Sequence, residues 1–303
     1  MTVQDQTLRS RLTAILQALF VVFLWATSWV FIKIGLRDIP PLTFAGLRYS
    51  LAFMCLLPIY LINPASAEVS QITGRRWVQL LVLGLFYYAA TQGASFVALD
   101  YLPAVTVNLL WNFSSVTIAL LGIVWLSEKP SGLQWFGILL ALLGAVIYFY
   151  PAEIPQRQVT GLIVAIFGVA ANAVSSILGR ELNRSKELHP LTVTVISMGV
   201  GSIILLGAGV ALEGIPILDW RDWLLIAWLA VVNTAFAFTL WNQTLRTLSA
   251  VESSVINSTM LIWIPIFAVL FLGESITFRE IIGMIIAGLG TLAVQLRRFS
   301  AKP

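Results

Sequence analysis

The chain has 303 residues, of which 59% are hydrophobic and only 11% charged, with mean hydropathy +0.91 and a formal net charge of +4. A soluble domain carries about 45–50% apolar and about 25% charged residues, so a cytosolic enzyme, a nucleic-acid binder and a disordered chain are all excluded. With about a third of the length in loops, roughly ten apolar spans of about 20 residues fit, and the expected class is an all-α polytopic membrane protein.

The predicted elements follow in chain order. Arg9 and Arg11 precede an apolar run that continues to about Ile34. That is longer than the apolar core of a signal peptide, and no small-residue cleavage site follows, so it reads as an uncleaved first span. Runs separated by polar or proline-containing breaks place the spans at 12–35, 42–62, 77–99, 103–126, 132–150, 159–181, 190–212, 222–246, 250–272 and 278–296. Pro103 after Asp100 and Tyr101 divides what would otherwise read as one long segment. The connections are short, so sequence neighbours should be antiparallel.

The loops set the expected orientation. With the N-terminus inside, twelve Lys and Arg fall in inner loops and four in outer loops, which favours both termini in the cytoplasm of a bacterial inner membrane. The single cysteine, Cys55, lies in an apolar run, and the single histidine, His189, lies in a loop. No metal site and no cofactor is expected.

Shifting the chain by 146 residues aligns its halves. Leu126-Ser127-Glu128 falls on Leu272-Gly273-Glu274, and Gly137, Ala141, Leu143 and Gly144 fall on Gly283, Ala287, Leu289 and Gly290. Ser131 to Gln134 and Thr277 to Glu280 both carry the capping-box pattern, so spans five and ten begin alike. Five spans per half make the second half enter upside down. The expectation is two inverted five-helix repeats, residues 1–150 and 151–303, around a central cavity, as in transporters. Glu128 and Glu274 read either as carboxylates near the next helix start or as gating groups.

Polar side chains within spans are costly and face a cavity or another helix. Helical spacing joins Trp25 with Ser28, Trp29 and Lys33; Tyr88 with Gln92; Asn108 with Trp111; Asn172 with Ser176; and Asn257 with Met260, with Trp263 at the edge. Asn233 and Trp241 lie about two turns apart. The stripes occupy spans one, three, four, six, eight and nine, and repeat symmetry pairs those spans with one another. The candidate substrate-binding residues are therefore Trp25, Trp29, Tyr88, Gln92, Asn108, Trp111, Asn172, Ser176, Asn233, Trp241, Asn257 and Trp263. For any one stripe the alternative is packing glue between helices. Lys33 reads as a snorkelling residue, and Arg48 as either a packing donor or a gate. An amide-lined, aromatic-walled site suits a small zwitterionic metabolite. Of the fourteen acids only Glu252 approaches a span interior, so facilitated transport without a proton relay is expected.

These residues also resemble a known family, the EamA-type branch of the drug/metabolite transporter superfamily. Each half ends in a Glu followed by a glycine-punctuated helix, LSEKPSGLQWFGILLALLG and FLGESITFREIIGMIIAGLG. The first half opens with Trp25, Trp29, Phe31 and Lys33, then Pro41, Arg48 and Tyr49. Family members more often carry glycine where this chain has Ala26. The resemblance implies a ten-helix inverted-repeat exporter of small metabolites, commonly amino acids including aromatic ones. A proton-coupled antiporter of the same fold, a channel and a receptor or structural bundle are the alternatives. An enzyme is disfavoured because no paired carboxylates or Ser/His pair lie within the spans. The expected partners are the substrate and the bilayer, without nucleic acid, and the expected unit is a monomer.

Overall fold

The structure, a computed structural model, describes residues 3–126, 131–151, 154–184, 187–244, 247–248 and 250–296. Among these residues the secondary structure is helical, with no strand. Ten helices are long and apolar enough to cross a membrane. They are α1 (Arg11–Gly35), α2 (Pro41–Leu61), α3 (Gly74–Tyr101), α4 (Ala104–Ile123), α5 (Gly132–Phe149), α6 (Gln156–Gly179), α7 (Pro190–Glu213), α8 (Trp220–Trp241), α9 (Val255–Leu272) and α10 (Phe278–Gln295). Each overlaps one expected span, because apolar length is the dominant signal for a chain that must satisfy its backbone within lipid.

The helices group into two compact units. The first holds residues 1–30, 103–154 and 236–303, and the second holds residues 31–102 and 155–235. Each unit draws on both halves of the sequence.

In the first unit α5 and α10 pack backbone to backbone. A Cβ on Gly144 would lie 2.3 Å from the Ala287 nitrogen and 2.6 Å from the Gly283 oxygen. Gly137 and Gly290 meet in the same way, each 2.6–2.7 Å from the other's carbonyl by the same measure. Small residues permit this approach, which supplies the van der Waals contact that lipid tails cannot. Both helices begin with the expected capping box. The Ser131 hydroxyl accepts from the Gln134 N–H, whose side chain accepts from the Ser131 N–H at 2.9 Å. Thr277 and Glu280 repeat the arrangement. The outer face of α5 is apolar and exposed, with Leu139 and Val146 each at 64%, as a helix facing hydrocarbon should be.

In the second unit α2 and α7 are held at both ends by carboxylates. Glu213, the last residue of α7, accepts from the N–H groups of Leu42 and Thr43 at 3.0 and 2.8 Å, at the start of α2. Glu68, in the short 3-10 helix after α2, accepts from the His189 N–H at 2.8 Å and from the Thr192 hydroxyl at 3.2 Å, at the start of α7. A helix start offers unpaired N–H groups and a positive dipole end, and a carboxylate satisfies both. Between the ends, Gly46 and Gly209 let the two backbones touch. Glu213 is positioned by Gly214, whose φ of 83° breaks α7 in a conformation that other residues resist.

Candidate functional site

Several of the candidate residues come together within each unit. In the first unit α1, α9 and the end of α8 bring together Ala14, Ala18, Val22, Leu248 and Ile256, and Trp25, Trp241, Met260 and Trp263 pack against them. The Trp25 ring lies 5.2 Å from Trp241 and 5.3 Å from Phe238. Trp263 meets Phe23 edge-on at 5.5 Å and stacks with Phe267. Trp29 meets Trp111 of α4 edge-on at 6.3 Å. These separations are in the range where aromatic pairs gain about 0.5–1.5 kcal/mol beyond burial. The indole N–H of Trp25 is buried and has no hydrogen-bond acceptor among the described residues.

Asn108 is 2% exposed, and its amide donates to the Met260 carbonyl of α9 at 3.3 Å. It ties α4 to α9, which is the packing role open to it from the sequence. The Asn112 amide turns back to the Asn108 carbonyl at 3.2 Å, one residue before the helix of α4 breaks at Phe113. Asn257 is exposed. Glu252 lies ahead of the α9 span and pairs with Arg11 at the start of α1.

In the second unit the cluster forms around α2 and α3. Tyr88 is buried, with its ring 5.6 Å from Tyr49 and 4.9 Å from Tyr87. The Tyr49 hydroxyl donates to the Gln92 side-chain oxygen at 2.7 Å. Arg48 is 5% exposed, and its Nε donates to the Thr234 hydroxyl at 3.1 Å. The guanidinium carbon lies 5.3 Å from the Tyr49 ring and 5.9 Å from that of Phe96, so the charge is stabilised by aromatic faces. The Thr234 hydroxyl in turn donates to the Leu229 carbonyl at 2.9 Å.

Thr234 and the fully buried Asn233 sit in a π-helical segment, Val231–Phe236, and α3 carries another, Gly84–Thr91. Such segments loosen the regular backbone pairing and are frequent at functional sites. Shifted by 146 residues, the numbers 84–91 become 230–237, which contain 231–236. Asn172 and Ser176 lie on α6, where the hydroxyls of Ser175 and Ser176 turn back onto the Asn172 carbonyl at 2.8 and 2.7 Å.

The remaining candidates have structural partners. The Lys33 ammonium donates to the carbonyls of Leu99 and Leu102, the latter at 2.7 Å, closing the end of α3 rather than snorkelling. Glu274 accepts from the N–H groups of Ala104 and Val105 at 2.7 and 3.2 Å. It therefore caps α4, not the helix that follows it. Glu128 lies outside the described residues. Sequence reasoning did not single out Phe23, Phe238, Phe267 or Thr234, and it named Tyr49 only within the family motif. Phe238 could have been found, since it lies one helical turn from Trp241. Phe23 looks like any lipid-facing aromatic and gave no signal.

Ten candidate spans among the described residues make this a multi-pass membrane protein. The chain belongs to the EamA-like transporter family, whose pattern matches residues 12–150 and again 159–296. Its relatives are named as transporters rather than enzymes. It is 26% identical over 268 residues to an uncharacterized transporter of Archaeoglobus fulgidus, covering 88% of this chain and 91% of that protein. It is 26% identical to a "probable amino-acid metabolite efflux pump" of Escherichia coli, covering 75% and 76% of the two chains. A pump of the same description from Salmonella typhimurium is 24% identical, with 90% and 92% covered. A solved crystal structure at 17% identity has the same fold, with a TM-score of 0.67 over 96% of this chain and all of that one.

Proposed function

We propose that the protein exports a small zwitterionic metabolite of the amino-acid class, aromatic ones included, from a bacterial cytoplasm by alternating access. The observation that carries this reading is the Trp25 N–H, buried and without an acceptor among rings of Trp241 and Phe238. A buried donor without a partner costs about 1–3 kcal/mol, and a substrate carboxylate would supply the missing acceptor while its side chain packs on the rings. The efflux-pump relatives point to the same substrate class.

The same proposal takes residues 1–150 and 151–303 as inverted halves, with both termini in the cytoplasm. It is supported by the way Gly137 and Gly144 exchange contacts with Gly290 and Gly283, each glycine meeting the 146-shifted counterpart of the other. Transport is facilitative in this reading, because Glu252, the acid nearest a span interior by sequence, is paired with Arg11 at a helix end.

The test is efflux from proteoliposomes loaded with labelled amino acids, with and without a proton gradient, for the parent and Trp25→Phe. The variant keeps a ring and loses the N–H. Losing a hydrogen bond to a charged group, about 1.5–3 kcal/mol, raises KM by roughly ten- to a hundredfold. An unchanged KM removes Trp25 from the site, and efflux that needs the proton gradient overturns the facilitative reading.

A further inference from the structure

A groove of about 690 Å³ runs between α9 and α10, within the first unit and away from the aromatic cluster. Its walls are aliphatic, from Val255 to Leu270 on α9 and from Ile281 to Leu292 on α10. Ser258 and Thr259 are the only lining residues with polar side chains, and Thr259 commits its hydroxyl to the Ile256 carbonyl at 2.7 Å.

The sequence makes this groove. The helix of α9 is interrupted at Thr259, between Ser258 and Met260, and Pro265 has no N–H to continue the ladder. A π-helical turn, Ala268–Leu272, completes the irregular wall. On the facing helix Gly288 lets the Leu261 side chain settle against the backbone at the floor, where a Cβ would lie 3.0 Å from it.

The surroundings determine what can fill it. Both helices are membrane spans, so the groove lies in hydrocarbon, where water does not enter and a zwitterion gains no partner. Its length along α9, fifteen helical rises from Val255 to Leu270, is about 22 Å at 1.5 Å per rise. One leaflet is about 15 Å of the roughly 30 Å hydrocarbon core, so an acyl chain fits lengthwise. A helix of that length and about 10 Å diameter would need more than twice the volume present, so a helix of a second copy does not fit within it. We propose that the groove is a lipid site that holds one acyl chain of a bilayer phospholipid as a resident ligand of α9 and α10.

The test uses the full chain in phosphatidylcholine–phosphatidylglycerol vesicles. A minor fraction of the phosphatidylcholine carries a photoactivatable diazirine on one acyl chain. After irradiation, labelled peptides are mapped by mass spectrometry. The expected result is labelling of 255–270 and 281–292 several-fold above the equally exposed apolar face of α5 around Leu139 and Val146, saturating as the probe fraction rises. Gly288→Phe fills the floor. Ile262→Trp crowds the rim from a position already 60% exposed and so leaves the core intact. Each should lower groove labelling to the α5 level. Equal, unsaturated labelling of the groove and α5 overturns the proposal, as does groove labelling that persists in both variants. A disulfide formed between two copies of an Ile262→Cys variant, with the groove left unlabelled by the lipid probe, would assign it to a second copy and also overturn it.

Discussion

The close crossing of α5 and α10 gives the sharpest stability prediction. In Gly144→Ala the new methyl would sit 2.3 Å from the Ala287 nitrogen, 2.6 Å from the Gly283 oxygen and 2.8 Å from the Ala287 Cα. All three are backbone atoms, so no rotamer change relieves the clash. The helices must separate by about an ångström, and that also strains the neighbouring contact between Gly137 and Gly290. Overpacking of this kind costs typically 1–3 kcal/mol. At about 2–4 °C per kcal/mol, on the scale of large soluble domains, the melting temperature should fall by roughly 2–12 °C. Gly207→Ala is the control. Gly207 is also helical, but a Cβ there meets nothing within 4 Å. Alanine should then leave stability unchanged or raise it by up to about 1 kcal/mol through helix propensity. The assay is thermal unfolding in detergent, followed by size-exclusion fluorescence after heating. If both substitutions behave alike, the α5–α10 interface is not held by backbone contact and the reasoning fails.

Three further outcomes follow from the hydrogen-bonded ends and the buried cation. Glu274→Gln keeps one acceptor oxygen for the two N–H groups of Ala104 and Val105. It should cost about 1–2 kcal/mol, the scale of a lost cap, and speed amide exchange at residues 104–105 without affecting the α2 start. Arg48→Lys retains the charge but loses the Nε bond to Thr234 and the planar contact with Tyr49 and Phe96. A loss of about 1–3 kcal/mol is expected, and a lysine variant as stable as the parent would show the guanidinium is not needed. Arg76 forks onto Glu187 with two bonds of 2.7 Å and holds its carboxyl below the usual carboxylate range. A lowered acid stabilises the fold above its unfolded pKa and loses that contribution as pH falls through the lowered value. The protection factor at residues 187–188, with the intrinsic pH dependence of amide exchange divided out, should therefore be flat near neutrality and fall only in acid. Glu187→Gln should abolish the pH dependence.

Different physical signals explain what was readable in the sequence. Apolar run length carried the spans, because the bilayer imposes it locally. The capping boxes of Ser131 and Thr277 were readable because both partners lie within three residues. The 146-residue offset marked Gly137, Gly144, Gly283 and Gly290, and these are glycines at which α5 and α10 meet. Helical spacing grouped Trp25 with Trp29, yet their rings contact different partners, Trp241 and Phe238 for one and Trp111 for the other. Spacing fixes the face of a helix but not the neighbour it meets.

Long-range carboxylates were the least legible. Glu274 looked like a partner of the helix that follows it and instead reaches back 170 residues to Ala104, while Glu213 reaches back 171 residues to Leu42. Nothing in their local sequence distinguishes these acids from any loop acid, except that each adjoins a positive-φ glycine, Gly273 or Gly214, that turns the chain at the end of a span. A glutamate next to such a glycine at a span exit has a fixed backbone direction and a side chain free of its own helix. A nearby helix start, with unpaired N–H groups at the membrane edge, is the strongest acceptor-seeking group available to it. The Glu-Gly and Gly-Glu pairs are therefore better read as clips on an earlier helix than as caps on the next one, and that reading needs only the sequence once the geometry is known.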